Sequence, residues 1–190
     1  MGEDEEADAL AVSLRDGEAV AWEELFRKVY PSMFAFAARR LGSEEGRDAV
    51  AETMARAVAS KERLPVASAA MAPWLFGILR HVVADAQRRS YRARRLRAWS
   101  TSPEMPMDSE RLESDEERKA LRAAFALLGE RDRELLELRV VAGLTVEETG
   151  RVLGMQGGAV RTAQSRALAR LRKHLAAESS IARQSAEVHD

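Results

Sequence analysis

The segment Leu144–Arg172, LTVEETGRVLGMQGGAVRTAQSRALARLR, restricts the fold more than any other stretch of the chain. Two helical patterns flank a glycine-bounded turn. Thr145 precedes Glu148 by three residues, the spacing of a capping box, in which the Thr oxygen accepts the Glu148 N–H and the Glu carboxylate accepts the Thr145 N–H. Val146, Val152 and Leu153 supply the apolar side. Gly154 fits the position after a helix where the backbone turns left-handed, a conformation that costs least without a Cβ. Gly157 and Gly158 open the second helix and leave backbone N–H groups free for a phosphate.

From Ala159 onward Val160, Ala163/Gln164, Ala167, Leu171 and Leu175 recur at helical spacing, which turns Arg161, Thr162, Ser165, Arg166 and Arg172 to other faces. No acid occurs between Ala159 and Ala177. A helix with small residues and arginines in its first half suits a DNA major groove. Arg bonds guanine bidentately there, and Ser or Thr bonds a base or a phosphate. The same pattern also fits a helical hairpin whose basic face is only solvated, because helix-turn-helix spacing is moderately specific.

Elsewhere the 190 residues carry few aromatics, and no alternating β-branched run is long enough to predict a strand. The reading is an all-α protein. The net charge is −1, yet the charges are segregated. Glu3–Asp8 and Asp108–Glu117 are acidic, whereas Arg80–Arg97, with Asp85 its single acid, and Arg161–Lys173 are basic. Two basic patches matter more for binding polyanions than the near-neutral total. Without cysteine there is no disulfide, thiol nucleophile or Cys-based zinc site. His81, His174 and His189 are isolated, which argues against a His metal site. No nucleophile–base set and no phosphate loop is present, so neither catalytic residues nor a cofactor is expected. No signal-peptide pattern opens the chain and no apolar run reaches membrane-spanning length; a soluble cytoplasmic protein is expected.

Taken in order, Met1–Asp8 reads as a frayed acidic tail, followed by a short amphipathic segment at Ala9–Arg15. Glu18–Leu41 has a long helical period that Pro31 is expected to kink or interrupt. Gly42 stops it, Ser43 is placed to cap the next helix, and Glu44 and Glu45 favour that helix's positive end. In Glu44–Ser60, Val50, Met54, Ala57 and Val58 read as core, while Asp48 and Glu52 share an outer face near Glu45. Such a face is either a protein-docking ridge or simply solvated. After a loop at Lys61–Met71, Pro73 fits the first turn of a helix whose Trp74, Leu75, Ile78, Leu79, Val82 and Val83 point inward. That helix continues into a basic half bearing Arg88, Arg89, Tyr91, Arg92, Arg94, Arg95 and Arg97, suited to nucleic acid. Ala98–Glu113, rich in Ser, Pro and acids, reads as a flexible linker between two small helical domains, residues 9–97 and 114–177. Ser114 and Glu117 form a second capping-box pattern. Leu121, Ala124, Phe125 and Leu128, then Leu135, Leu136, Leu138 and Val141, give the second domain its apolar stripes, and 178–190 reads as a frayed tail.

The ordered series AWEELFRKVYPSMFAFAARRLG, RDAVAETMARAV, PWLFGILRHVVADAQRR, a polar linker and the helix-turn-helix segment resembles the extracytoplasmic-function (ECF) sigma factors, promoter-specificity subunits of bacterial RNA polymerase. The resemblance spans about Ala19–Leu175. It implies a first domain (region 2) that binds core polymerase, through its β and β′ subunits, and melts the −10 element. Asp48, Val50 and Glu52 match the polymerase-binding motif, with Ala51 and Met54 departing from it. Trp74, Arg80, His81, Arg88 and Arg89 fall on the helix that meets the −10 strand, with His81 at a common Asn position. The resemblance implies that region 4 reads the −35 duplex through Thr145, Gly158, Arg161, Thr162, Ser165 and Arg166; Ala163 and Gln164 depart from the usual pair. It also implies promoter DNA and an anti-sigma factor as partners, and no membrane insertion. The alternative that the residues leave open is a stand-alone helix-turn-helix regulator.

Overall fold

The computed structural model describes residues 3–65, 67, 70–97 and 115–187, with side chains described except at 3–8, 94–97, 115–118 and 178–187. Among the described residues the elements are helical and no strand occurs. Four helices form the first lobe: α1 (Glu3–Asp16), α2 (Ala19–Leu41), α3 (Ser43–Ala59) and α4 (Met71–Arg97). The second holds α5 (Asp115–Ala126), α6 (Glu130–Leu136), α7 (Val146–Leu153) and α8 (Gly157–Glu187).

The first lobe is built on the apolar stripes of α2 and α4. Met33, Phe36, Leu75, Phe76, Leu79 and Val83 are almost wholly excluded from water. Each such side chain contributes about 1.5–3 kcal/mol by leaving water. Phe36 and Phe76 meet edge to face, with centroids 5.8 Å apart. Helix α1 closes the end of this core through Ala11 and Leu14, and the Trp22 indole N–H donates to the Leu14 carbonyl at 3.0 Å. Gly42, at φ 85°, turns the chain between α2 and α3. Gly46 then lets the two helices touch, since a Cβ there would lie 2.8 Å from the Ala38 Cα.

Several local expectations are corrected. Helix α1 begins at Glu3, within the stretch read as a frayed tail, and α8 runs to Glu187. Pro31 does not interrupt α2, which continues unbroken to Leu41 with Pro31 on its exposed side. Ser43 makes no capping hydrogen bond; Gly42 holds that position. Val58 is 45% exposed and Leu121 44% exposed, so neither is core. Pro73, the third residue of α4, does lie in its first turn as expected. The linker 98–113 and the capping pattern at Ser114 lie outside the described residues.

In the second lobe, Leu128, Leu135, Leu136 and Ala167 form a small core, with Phe125, Ala163 and Leu171 against it. After α6 the helix widens into a π-turn, Glu137–Val141, where the Ala142 N–H donates to the Glu137 carbonyl five residues back at 2.8 Å. Gly143, at φ 70°, ends it.

The lobes are docked on each other. Leu138, Ala142, Leu144 and Val152 belong to the same buried cluster as the core of the first lobe. Around this apolar contact runs a charged rim. Arg40 donates to Glu137 at 2.5 Å and lies 4.0 Å from Glu134. Arg80 grips Glu134 with two bonds of 2.6 and 3.0 Å and donates a third to the Val152 carbonyl at 2.9 Å. The Arg39 guanidinium lies 4.3 Å from the Phe125 ring centroid and 3.5 Å from Glu137. Glu137 is 4% exposed. Removing one partner of a pair this buried leaves the other charge uncompensated, which costs about 3–5 kcal/mol.

Candidate nucleic-acid interface

The helix-turn-helix forms as its sequence dictates. The Thr145 N–H donates to the Glu148 carboxylate at 2.7 Å and the Glu148 N–H donates to the Thr145 hydroxyl at 3.1 Å, so both bonds of the capping box are present. Gly154 sits at φ 66°, ψ 36°, the left-handed region, and its N–H donates to the Gly150 carbonyl. The same carbonyl accepts the Met155 N–H at 2.8 Å, which closes the turn. Helix α8 is anchored by Val160 and Ala167, both buried.

This anchoring presents Gly158, Arg161, Thr162, Ser165 and Arg166 to solvent along the outer side of α8. Thr145 is exposed beside them. Arg161 lies 3.3 Å from Glu147 on α7, an exposed pair that water screens and that a DNA group can displace at little cost. The Thr162 hydroxyl donates to the Gly158 carbonyl at 3.0 Å, so its oxygen lone pairs remain the free part of the group. Arg139 links α8 to the chain before α7: its Nε donates to Gln164 at 3.0 Å and its Nη1 donates to the Leu144 carbonyl. Arg170 ties the middle of α8 to Asp132 on α6 at 2.5 Å.

On the first lobe, Asp48 and Glu52 are exposed on α3, and Val50 between them is buried at 1%. The carboxylates are therefore free to meet a partner, while Val50 seats the helix that carries them. Together with Val82, Arg89 and Ser90 of α4 they line an open groove of about 580 Å³. Glu52 also pairs with Arg56 one turn on, at 2.8 Å.

The five α4 residues expected at the −10 strand do not share one free surface. His81, Arg88 and Arg89 are exposed and Trp74 is half-buried against the core. Arg88 donates to Asp85 at 2.7 Å; that hydrogen bond holds the Asp85 carboxyl below its ordinary 3.8. Arg89 faces the groove with the α3 acids. Arg80 is engaged by Glu134 and Val152 of the other lobe through three hydrogen bonds. Sequence reasoning missed Glu134 and Glu137. Their spacing of three puts them on one helix face, but their partners lie 54 and 97 residues away, beyond any local pattern. Among the described residues no group of His and carboxylates is placed to hold a metal ion, and no helix is long and apolar enough to cross a membrane.

Among the described residues the fold is two-lobed and all-helical, with a helix-turn-helix in its second lobe. Residues 124–173 match the family Sigma-70, region 4. Over 169 residues the chain is 36% identical to the ECF RNA polymerase sigma factor ShbA of Streptomyces griseus, covering 83% of this chain and 88% of ShbA. It is 33% identical to the ECF RNA polymerase sigma factor SigD of Mycobacterium tuberculosis, over 94% of this chain and 88% of SigD. The chain belongs to the ECF RNA polymerase sigma factors. Among solved structures, CnrH in complex with the cytosolic domain of CnrY has the same fold, with TM-score 0.65 at 21% identity over 90% of this chain and 97% of that one. RpoE of Bartonella quintana, solved with the anti-sigma factor NepR, gives TM-score 0.59 at 24% identity over 80% and 95%. Likeness to sigma factors across both lobes displaces the stand-alone regulator.

Proposed function

We infer that this chain is a dissociable promoter-specificity subunit: it joins core RNA polymerase, selects promoters and starts transcription. The observation that carries this is its identity to ECF sigma factors along nearly the whole chain, supported by the exposure of Arg161, Thr162, Ser165 and Arg166 along α8.

The finer assignment distributes the work between lobes, residues 9–97 acting as region 2 and 114–177 as region 4. Asp48 and Glu52 take the core polymerase, with cationic partner side chains matching the acidic edge of the groove. Arg161, Thr162, Ser165 and Arg166, with Thr145 and Gly158 at the backbone, read the −35 duplex: arginines to guanine edges, hydroxyls to phosphates. Trp74, Arg80, His81, Arg88 and Arg89 serve the melted −10 strand. Each lobe binds weakly alone. Polymerase holds both, and the effective concentration gained by linkage makes the pair specific. An anti-sigma factor is the natural antagonist, as the sigma factor RpoE of Bartonella quintana is held by the anti-sigma factor NepR.

Run-off transcription with core polymerase and a panel of candidate promoters tests the reading. Promoter-directed transcripts that require the chain are expected; their absence across the panel overturns it.

A further inference from the structure

We propose that Glu134 is a built-in competitor for the −10 strand: by holding Arg80 it keeps the free chain closed, and the chain engages a melted promoter only once the lobes separate. The proposal rests on the inferred role of Arg80 at the −10 strand.

The geometry is specific. A guanidinium has five N–H donors in a planar fork that matches a carboxylate or a phosphate equally well. In Arg80 three of these donors are engaged: the Nε–Nη2 edge grips the two oxygens of Glu134, and Nη1 donates to the Val152 carbonyl. Glu134 therefore occupies the place that a DNA oxygen or base edge would take. The two occupants exclude each other, because Glu134 reaches Arg80 only while α6 lies against α4.

The rest of the clamp makes this a switch between two states and not a local competition. Glu134 and Glu137 stand on one face of α6 and the following π-turn, and both meet first-lobe arginines. Leu138, Leu144 and Val152 sit behind them in the shared apolar cluster. Separation of the lobes thus exposes that cluster together with Arg80. By contrast, the outward residues of α8 stay exposed in the docked state. Of the −10 set the clamp withholds Arg80 while His81, Arg88 and Arg89 stay exposed, and it leaves the −35 surface open. Binding of the second lobe to a −35 duplex, or of the first to polymerase, can precede opening.

The chain has no native cysteine, so single labels can be placed at will. Ala55→Cys on α3 and Ala169→Cys on α8, both exposed, report lobe separation by fluorescence energy transfer in the full-length chain. The variants are Glu134→Gln and the double variant Glu134→Gln/Glu137→Gln, with circular dichroism to verify helix content. The DNA probe is a fluorescein-labelled single strand copying the −10 region of a promoter transcribed by the wild-type holoenzyme. The double variant should lower transfer efficiency and tighten probe binding about tenfold, the factor expected if about nine-tenths of the wild-type chain is closed. Adding Arg80→Ala should abolish that gain. Unchanged transfer in a double variant that retains its helices overturns the clamp. Lowered transfer without tighter probe binding overturns the competition while leaving the docking intact. The underlying assignment is tested apart from it: Arg80→Ala in holoenzyme should cut open-complex formation, and normal open complexes would remove Arg80 from the −10 site whatever the lobes do.

Discussion

Replacing Gly150 with Ala probes how tightly the helix-turn-helix is closed. Gly150 is buried in α7, and its carbonyl accepts two N–H groups, from Gly154 and from Met155. A Cβ on Gly150 would lie 2.5 Å from the Met155 carbonyl oxygen and 3.6 Å from Val160 Cγ2. The first contact is with backbone, so no side chain can swing aside; the turn itself must move. Forcing a methyl group into a filled site costs about 1–3 kcal/mol. Stretching the Met155 hydrogen bond adds about 0.5–1.5 kcal/mol. Alanine's better helix propensity returns about 1 kcal/mol. The net loss is therefore about 2 kcal/mol, which for a chain of this size lowers the melting midpoint by roughly 4–8 °C. Thermal unfolding followed by circular dichroism measures it. Gly77→Ala in α4 is the comparator, since a Cβ there meets nothing within 4 Å, and it should be neutral or stabilising by up to about 1 kcal/mol. A Gly150→Ala protein that melts at or above wild type would refute the steric reasoning.

The Thr149 hydroxyl is buried without a hydrogen-bond partner, so Thr149→Val should be neutral or stabilising by about 1 kcal/mol in urea denaturation. Arg161→Ala should cost about 1–3 kcal/mol at one −35 position in a promoter-variant binding series, whereas a uniform loss across sequences would show a phosphate contact. Charge reversal at Asp48 and Glu52, both on exposed α3 positions, should weaken capture by core polymerase in a pull-down while leaving helix content unchanged. Arg88 donates to the Asp85 carboxyl and depresses its pKa in the folded chain. The pair accordingly stabilises above the unfolded value near 3.8 and its contribution disappears as pH falls through the folded value. A carbon-detected NMR titration should place the Asp85 midpoint below 3.8 and move it back up in Arg88→Ala.

Local chemistry was legible in the sequence where cause and effect lie within one turn. The Thr145–Glu148 box, the left-handed Gly154 and the α8 stripe through Val160 and Ala167 all follow from spacing, because each partner is three or four residues away. Boundaries were less legible. Pro31 looked like a break, yet the apolar pattern on either side of it is continuous and the burial of Met33, Phe36 and Ala37 outweighs one missing bond. Val58 looked like core by phase, but at that turn of α3 Ala57 takes the buried position and Val58 is turned outward. Contacts between lobes were not legible at all. Arg40 and Arg80 belong to patterns that predict solvent or DNA, and only the assembled fold brings Glu137 and Glu134 to them. For the same reason Gly150 escaped notice beside Gly154, Gly157 and Gly158: what makes it necessary is the Met155 carbonyl across the turn.

The widened turn at Glu137–Val141 has a mechanical consequence. One surplus residue advances everything downstream by about 100° around the helix axis, so this turn fixes the phase between the clamp acids and the segment that supports the reading head. Excising one residue from its solvent side, where Val140 is 67% exposed, would restore ordinary winding. It would also set the two ends of the second lobe out of step, like a gear moved by a single tooth. Evolutionary drift in length is therefore far less tolerable across these five residues than in the polar stretch between the lobes.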